Sequence, residues 1–351
     1  MAGPAAPPPA AAAPAASTHL SLGEVHALAT RCLVANGCDA ANAGAVADTI
    51  AAAERDICLS HGLFRLPGYV ASLRSGKVNG SARPQVEELA PGVVRVDGQG
   101  GFAPLALQAG RAPLAGKARS QGVAALALND IHHFAALWPE VEALAEDGLC
   151  AFAFTAAFPY VVAAGGRRPI YGTNPMAFAW PRPGRDPLVF DQASSALARG
   201  EIMIAAREGH AVPPGTGIDA DGNQTTDPNA ILQGGAQLPF GGYKGASIAL
   251  MIELLVGALI GDKFSFEALS ADNGDGGPPK GGELMLAIDP ARFGDPEGFA
   301  AHAELLFAQI TAEEGVRLPA DRRRRNRATT ATAGVAVDAA LHAKILDLAG
   351  G

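Results

Sequence analysis

The chain has 351 residues, 48% of them apolar and 18% charged, which is enough to bury a large core and excludes a natively disordered protein. Its net charge of −8 sets the overall field against nucleic acid and anionic membranes, so an anionic ligand must be met by a local basic cluster. Four cysteines, Cys32, Cys38, Cys58 and Cys150, form no CxxC pair and no ligand spacing with histidine, which points to reduced thiols.

In chain order, residues 1–17 form a Pro/Ala tail that cannot build a core and is expected to be disordered. No Lys or Arg precedes Arg31 and prolines interrupt any apolar h-region, so no secretory signal is read and a cytoplasmic location is expected. Ser21-Leu22-Gly23-Glu24 has the form of a capping box, and Val25, Leu28, Ala29, Cys32 and Leu33 follow at helical spacing, predicting a helix over 22–36. An alanine-rich helix is expected over 40–55, ending near the segment 56–62. His61 and Arg65 are four apart, so a helical turn there places both on one ligand.

Short β-rich runs at 92–96, 123–128, 150–155 and 188–190 alternate with helical stretches and predict an α/β or α+β chain. Glycine-bearing loops dominate 165–245, where functional loops are expected. The most apolar stretch, 246–260, contains Glu253 and falls short of the ~18 residues of a membrane span, so it reads as a buried helix. The glycine-rich turn 241–245 before it suits an anion such as pyrophosphate.

Four motifs carry candidate chemistry. Gly98-Gln99-Gly100-Gly101-Phe102-Ala103 fits GxGxxA, but its strand would end on Asp97 and Pro104 argues against a helix directly after it, so no Rossmann site is assigned; no Walker loop is present either. In Ser60-His61-Gly62 with Arg65, an arginine fork matches a carboxylate and an imidazole can supply a proton near neutral pH. Ser60 has no GxSxG elbow around it, so its role is to orient the imidazole. His132 and His133 stand at a strand end, but neighbours on a strand point oppositely and no third ligand is evident nearby, so a metal-free site is expected. Arg317, Arg322, Arg323, Arg324, Arg325 and Arg327 cluster near the C-terminus. An acidic remainder and no interleaved aromatics argue against a nucleic-acid patch, and an adenosine 2′-phosphate is the better ligand, favouring NADP over NAD.

The chain resembles the type 2 malate/L-lactate dehydrogenases from about Ser21 to Arg327. The resemblance rests on Ser60 to Arg65, Tyr171-Gly172-Thr173-Asn174-Pro175, Asp191-Gln192-Ala193-Ser194-Ser195 with Ala198-Arg199-Gly200, Thr226-Asp227-Pro228, and 241–245. Within that family it is most similar to the Δ1-piperideine-2-carboxylate/Δ1-pyrroline-2-carboxylate reductases, through 133–140, 272–279 and 317–323.

The resemblance implies an α/β fold with a mixed sheet, a non-Rossmann NAD(P)-binding fold, and a homodimer. It implies a substrate and dimerisation domain of 18–128 plus 305–351, and an NADPH-binding domain of 129–304. His61 would be the proton donor, supported by Ser60 and Glu201, the latter standing where the family carries aspartate. Arg65 and Thr173 would bind substrate. NADPH would be held by His133, Phe134, Ala135, Ala136 and Leu137, by Asp191, Gln192 and Ala193, and by Tyr243 and Lys244. The segment Arg317, Leu318, Pro319, Ala320, Asp321, Arg322 and Arg323 would complete its site.

The expected activity is NADPH-dependent reduction of these cyclic ketimines to L-pipecolate or L-proline. A 2-hydroxy acid dehydrogenase of the malate, lactate or ureidoglycolate type is the alternative within the family. A non-catalytic anion- or nucleic-acid-binding protein is the alternative outside it.

Overall fold

In the computed structural model, which describes residues 17–133 and 136–350, Ser21 and Glu24 form the expected reciprocal cap and the helix Leu22–Ala35 follows. Phe134, Ala135 and the tail up to residue 16 lie outside the described residues. The helix Ala40–Arg55 is capped by Asp39 and buries Ala43, Val46, Ala47 and Ile50 against Val25, Leu28 and Cys32 of the first helix. Leu66–Arg74 and the C-terminal helix Ala339–Leu348 pack on the same cluster. Ser17–Leu20 pairs antiparallel with Val335–Asp338, so Ser17, assigned to the tail from sequence, belongs to a strand.

The second core lies on a seven-stranded sheet. Its order is Gln85–Ala90, Val93–Phe102, Val123–His132, Lys280–Ile288, Cys150–Thr155, Met176–Trp180 and Leu188–Gln192. Val93–Phe102 and Val123–His132 are parallel, joined by the crossover helix Ala103–Gln121, and every other ladder of this sheet is antiparallel. This is the mixed sheet expected, unlike a doubly wound sheet of parallel strands. Ala106, Leu114 and Ala118 of the crossover helix and Val141 and Leu144 of the helix Trp138–Glu146 bury against Val94, Leu126 and Ala151.

Two expectations are corrected here. The strand of the GxGxxA segment does not end at Asp97: it runs to Phe102 with a register shift between Asp97 and Gly101. A Cβ at Gly98 would collide with Ile131 and one at Gly101 with Ala82, so these glycines serve close packing at a bulge. A helix does follow at once, with Pro104 in its first turn, where the missing N–H would have had no partner anyway. The boundary placed between 128 and 129 lies within the strand Val123–His132, and the one between 304 and 305 within the helix Phe299–Thr311. The sheet therefore draws strands from both sides of the first boundary.

The turn 241–245 leads into the helix Tyr243–Glu253, which continues as a π-helical turn over Leu254–Leu259. Gly241 and Gly242 have φ of 56° and 63°, and a Cβ on Gly245 would meet the carbonyls of Phe240 and Ser194. Backbone geometry alone thus requires these glycines. Among the described residues no helix is long and apolar enough to cross a membrane.

Candidate active site

Past Arg55 the chain makes two single 3-10 turns, Leu59–His61 and Leu63–Arg65, before the helix Leu66–Arg74. Buried Glu54 takes the Leu63 amide at 2.7 Å, and a Cβ on Gly62 would fall inside the Glu54 carboxyl. The turns bring Ser60, His61 and Arg65 together without a continuous helix. Arg65 Nε donates to the Ser60 carbonyl at 2.7 Å, and Ser60 Oγ lies 2.9 Å from His61 Nδ1. Cys58 Sγ approaches the same nitrogen at 3.6 Å, which leaves Nε2 for a ligand. Burial, and after it the Arg65 guanidinium, pushes the His61 imidazole down to about 3, so it is uncharged at neutral pH.

This segment forms one wall of a cleft of about 610 Å³. Thr173, Asp191, Gln192 and Ala193 form a second wall, Arg199, Gly200 and Glu201 a third, and Arg317, Pro319, Ala320, Arg322 and Arg323 a fourth. Asn174 holds Thr173 in place: it is buried, and its Nδ2 donates to Glu253 at 2.8 Å and to the Ala249 carbonyl at 3.2 Å. Gly200 packs so closely that a Cβ there would touch both Ser60 and Arg65. Glu201 lines the cleft but is exposed, and among the described residues the side-chain oxygen paired with His61 is that of Ser60. Arg199 was not singled out from sequence. It lines the cleft and stacks over Tyr160 at 4.1 Å, and its signal was the same Ala-Arg-Gly motif that drew attention to Glu201.

The arginine run divides. Arg317 and Arg322 are exposed at the cleft, and Arg323 lies over the Trp138 ring at 4.9 Å with Nη2 donating to the Val189 carbonyl at 3.0 Å. Arg324 faces Asp186 and Asp321, and Arg327 pairs with Asp56 and Glu142. Leu318 is buried and Asp321 accepts its amide, so these two shape the turn without lining the cleft. Tyr243 and Lys244 are exposed and also lie off its walls.

Asp191 Oδ2 accepts the amides of Leu137 and Trp138 at 2.8 and 3.1 Å, capping the helix Trp138–Glu146. Ala136 lines the cleft, whereas Leu137 and His133 are buried away from it. His132 and His133 point apart, as neighbours on a strand should: His132 Nδ1 lies 3.5 Å from the Pro278 carbonyl, while His133 Nε2 faces Glu140 and Glu283. Acidic groups therefore do stand beside His133. Glu283 was invisible to local spacing because a distant strand delivers it.

The sequence matches the family described as Malate/L-lactate dehydrogenase over residues 20–346. The chain belongs to the malate/L-lactate dehydrogenase family. It is 50% identical over 331 residues to Delta(1)-pyrroline-2-carboxylate/Delta(1)-piperideine-2-carboxylate reductase of Pseudomonas aeruginosa, covering 94% of this chain and 98% of that one. It is 50% identical over 328 residues to Delta(1)-pyrroline-2-carboxylate reductase of Ancylobacter novellus, covering 93% and 96%. Among solved structures it is similar to delta1-piperideine-2-carboxylate reductase from Pseudomonas syringae pvar. tomato, with a TM-score of 0.89, 45% identity and coverage of 94% and 99%. In this malate/L-lactate dehydrogenase family member, a carboxylate-matching guanidinium and an uncharged imidazole thus face a wall of further arginines across one cleft.

Proposed function

We propose that the protein reduces Δ1-piperideine-2-carboxylate and Δ1-pyrroline-2-carboxylate to L-pipecolate and L-proline with NADPH. The observation that carries this reading is the pairing of Arg65 with His61 in one cleft, together with near-50% identity to reductases named for these substrates over almost the whole chain. The donor set suits a phosphorylated dinucleotide, because Arg317, Arg322 and Arg323 share the cleft with the catalytic segment. NADPH, when bound there, supplies the hydride that reduces the C=N bond.

The residues do the rest. Arg65 and Thr173 hold the substrate carboxylate, with Arg65 oriented by the Ser60 carbonyl. His61, oriented through Nδ1 by Ser60, passes a proton from Nε2 to the ring nitrogen. In the empty cleft His61 is uncharged, and a bound carboxylate offsets the Arg65 charge, the largest cause of its depression after burial, so substrate raises the proton affinity of its own acid. Reduction with NADPH deuterated at C4 should place one deuterium on C2 of the product. Deuterium lost to solvent would overturn direct transfer.

We also propose a homodimer. Leu250, Met251, Leu254 and Leu259 are exposed along the helical stretch that starts at Tyr243, and Phe266 and Leu269 extend the apolar surface. Light scattering giving a monomer mass would contradict this.

A further inference from the structure

His133, Glu140 and Glu283 meet in the interior. His133 Nε2 is 3.3 Å from Glu140 Oε1 and 3.4 Å from Glu283 Oε2. The three groups lie within 4.8 Å of one another. Glu283 is fully buried on the strand Lys280–Ile288. Among the described residues neither of its oxygens has a hydrogen-bond partner, and neither has Glu140 Oε2. One imidazole N–H therefore faces four carboxylate oxygens. If both carboxyls were ionised, two charges would sit in the interior with a single donor between them and Asp191 as a further negative neighbour, an arrangement that buried carboxylates resolve by retaining a proton.

We propose that Glu140 and Glu283 share one proton beside a neutral His133, and that this network positions the start of the helix Trp138–Glu146, with Ala136 on the cleft wall before it, to receive the cofactor. The geometry gives the network that role. Two pins hold the helix start: His133 Nε2, 3.3 Å from Glu140 Oε1 with Glu283 Oε2 3.4 Å from the same nitrogen, and Asp191, which accepts the amides of Leu137 and Trp138. Glu140 belongs to the first turn of the helix that Asp191 caps, and Ala136, between the pins, lines the cleft. These three are positioning residues. The cofactor half of the proposal rests on the reading of Ala136 and Leu137 as cofactor contacts.

Burial pushes the Glu140 carboxyl up to about 8 and the Glu283 carboxyl well above the usual range, in the direction the donor count requires. The groups facing the pair are His133 and Asp191, with Arg323 beyond Asp191. The flanking strands place Leu128 and Thr155 opposite Glu283 and add no charge at that register. Groups whose proton affinity rises on folding contribute stability that is full below their unfolded value near 4.5 and is lost as pH climbs towards the folded one.

The test uses the full chain, as wild type, Glu283→Gln and Glu283→Leu. Three quantities are measured: the melting temperature from pH 6 to 9, NADPH affinity by fluorescence titration, and metal content by mass spectrometry. Glutamine carries its donor permanently. Glu283→Gln should bind NADPH within about 2-fold of wild type and lose less melting temperature towards pH 9, whereas Glu283→Leu, which strands the buried groups, should weaken binding about 10-fold or more. If Glu283→Leu does not fold, the glutamine variant decides alone. A glutamine variant that falls as steeply with pH as wild type, or binds 10-fold worse, overturns the proposal. So does about one divalent cation per wild-type chain that Glu283→Gln loses, which would make the shared species a metal ion. Wild-type protein that ignores NADPH would refute the cofactor reading, while the melting curves would still decide the proton.

Discussion

Asp56 and Arg327, 271 positions apart, form a two-pronged ion pair, Nε to Oδ1 at 3.0 Å and Nη2 to Oδ2 at 2.8 Å. The same carboxylate accepts Trp138 Nε1 at 3.0 Å and Arg55 Nε at 2.8 Å. One buried aspartate thus ties the segment that leads into Ser60–Arg65, the start of the helix Trp138–Glu146 and the C-terminal arginine helix together. Burial pushes Asp56 up, but Arg327 and Arg55 outweigh it and hold its carboxyl below the usual range. Asp56→Asn should destabilise the fold by about 1–3 kcal/mol, because it removes the charge that Arg55 and Arg327 share and leaves Arg327 with Glu142 alone. Denaturant unfolding checks this, and a loss below about 0.5 kcal/mol would contradict the hub. The stabilisation is present above the unfolded value near 3.8 and should vanish as pH falls below it, a slope that Asp56→Asn should lack.

His61→Ala should lower kcat/KM for the cyclic imine by ~10²–10⁴-fold while leaving NADPH affinity unchanged. The imidazole also leaves a signature in the resting protein. Depressed from 6.5 to about 3 by burial and Arg65, it contributes stability that is present above pH 6.5 and is lost as pH falls towards 3. NMR titration should find a neutral ring at pH 6 without ligand and a higher value with L-proline bound. A ring that titrates near 6.5 in the empty protein would contradict the burial argument.

Glu54 holds the turn that carries Arg65 through the Leu63 amide, an acceptor role that an amide oxygen can also fill. Glu54→Gln should therefore keep near-wild-type kcat, while Glu54→Leu, which orphans a buried N–H and frees the turn, should lower it by roughly 10-fold or more. Burial pushes Glu54 up to about 7, so its stabilisation is full below 4.5 and fades as pH rises through 7. Glu54→Gln should flatten that part of the stability profile.

Arg317 and Arg322 are exposed at the cleft, where in the proposed function a 2′-phosphate would find two guanidinia. Arg322→Ala should raise KM for NADPH by about 10-fold and leave KM for NADH nearly unchanged, reading the loss of one charge-assisted contact. Equal effects on both cofactors would move the phosphate site elsewhere.

What was legible in the sequence was local. The Ser21 cap, the helix Ala40–Arg55 and the strand Cys150–Thr155 follow from periodicity and punctuation over a few residues, and all three stand where the pattern put them. Ser60, His61 and Arg65 were legible because their partnership is also local. Contacts made by chain closure were not. Nothing near His133 in the sequence announces Glu283, and the arginine run gives no sign that Arg327 turns inward to Asp56 while Arg322 faces the cleft. At the GxGxxA segment, which was not assigned as a phosphate loop, the sequence did not show the bulge that carries the strand past Asp97 to Phe102 or the helix that starts at once with Pro104 in its first turn.

The central claim is tested most directly by NADPH oxidation with Δ1-piperideine-2-carboxylate and Δ1-pyrroline-2-carboxylate, run beside pyruvate, oxaloacetate and an NADH control. The account predicts kcat/KM for a cyclic imine at least about 100-fold above any keto acid, a gap that Arg65→Lys narrows by raising KM. A keto acid turned over as fast as the imines would contradict it, and would assign His61 to carbonyl chemistry instead.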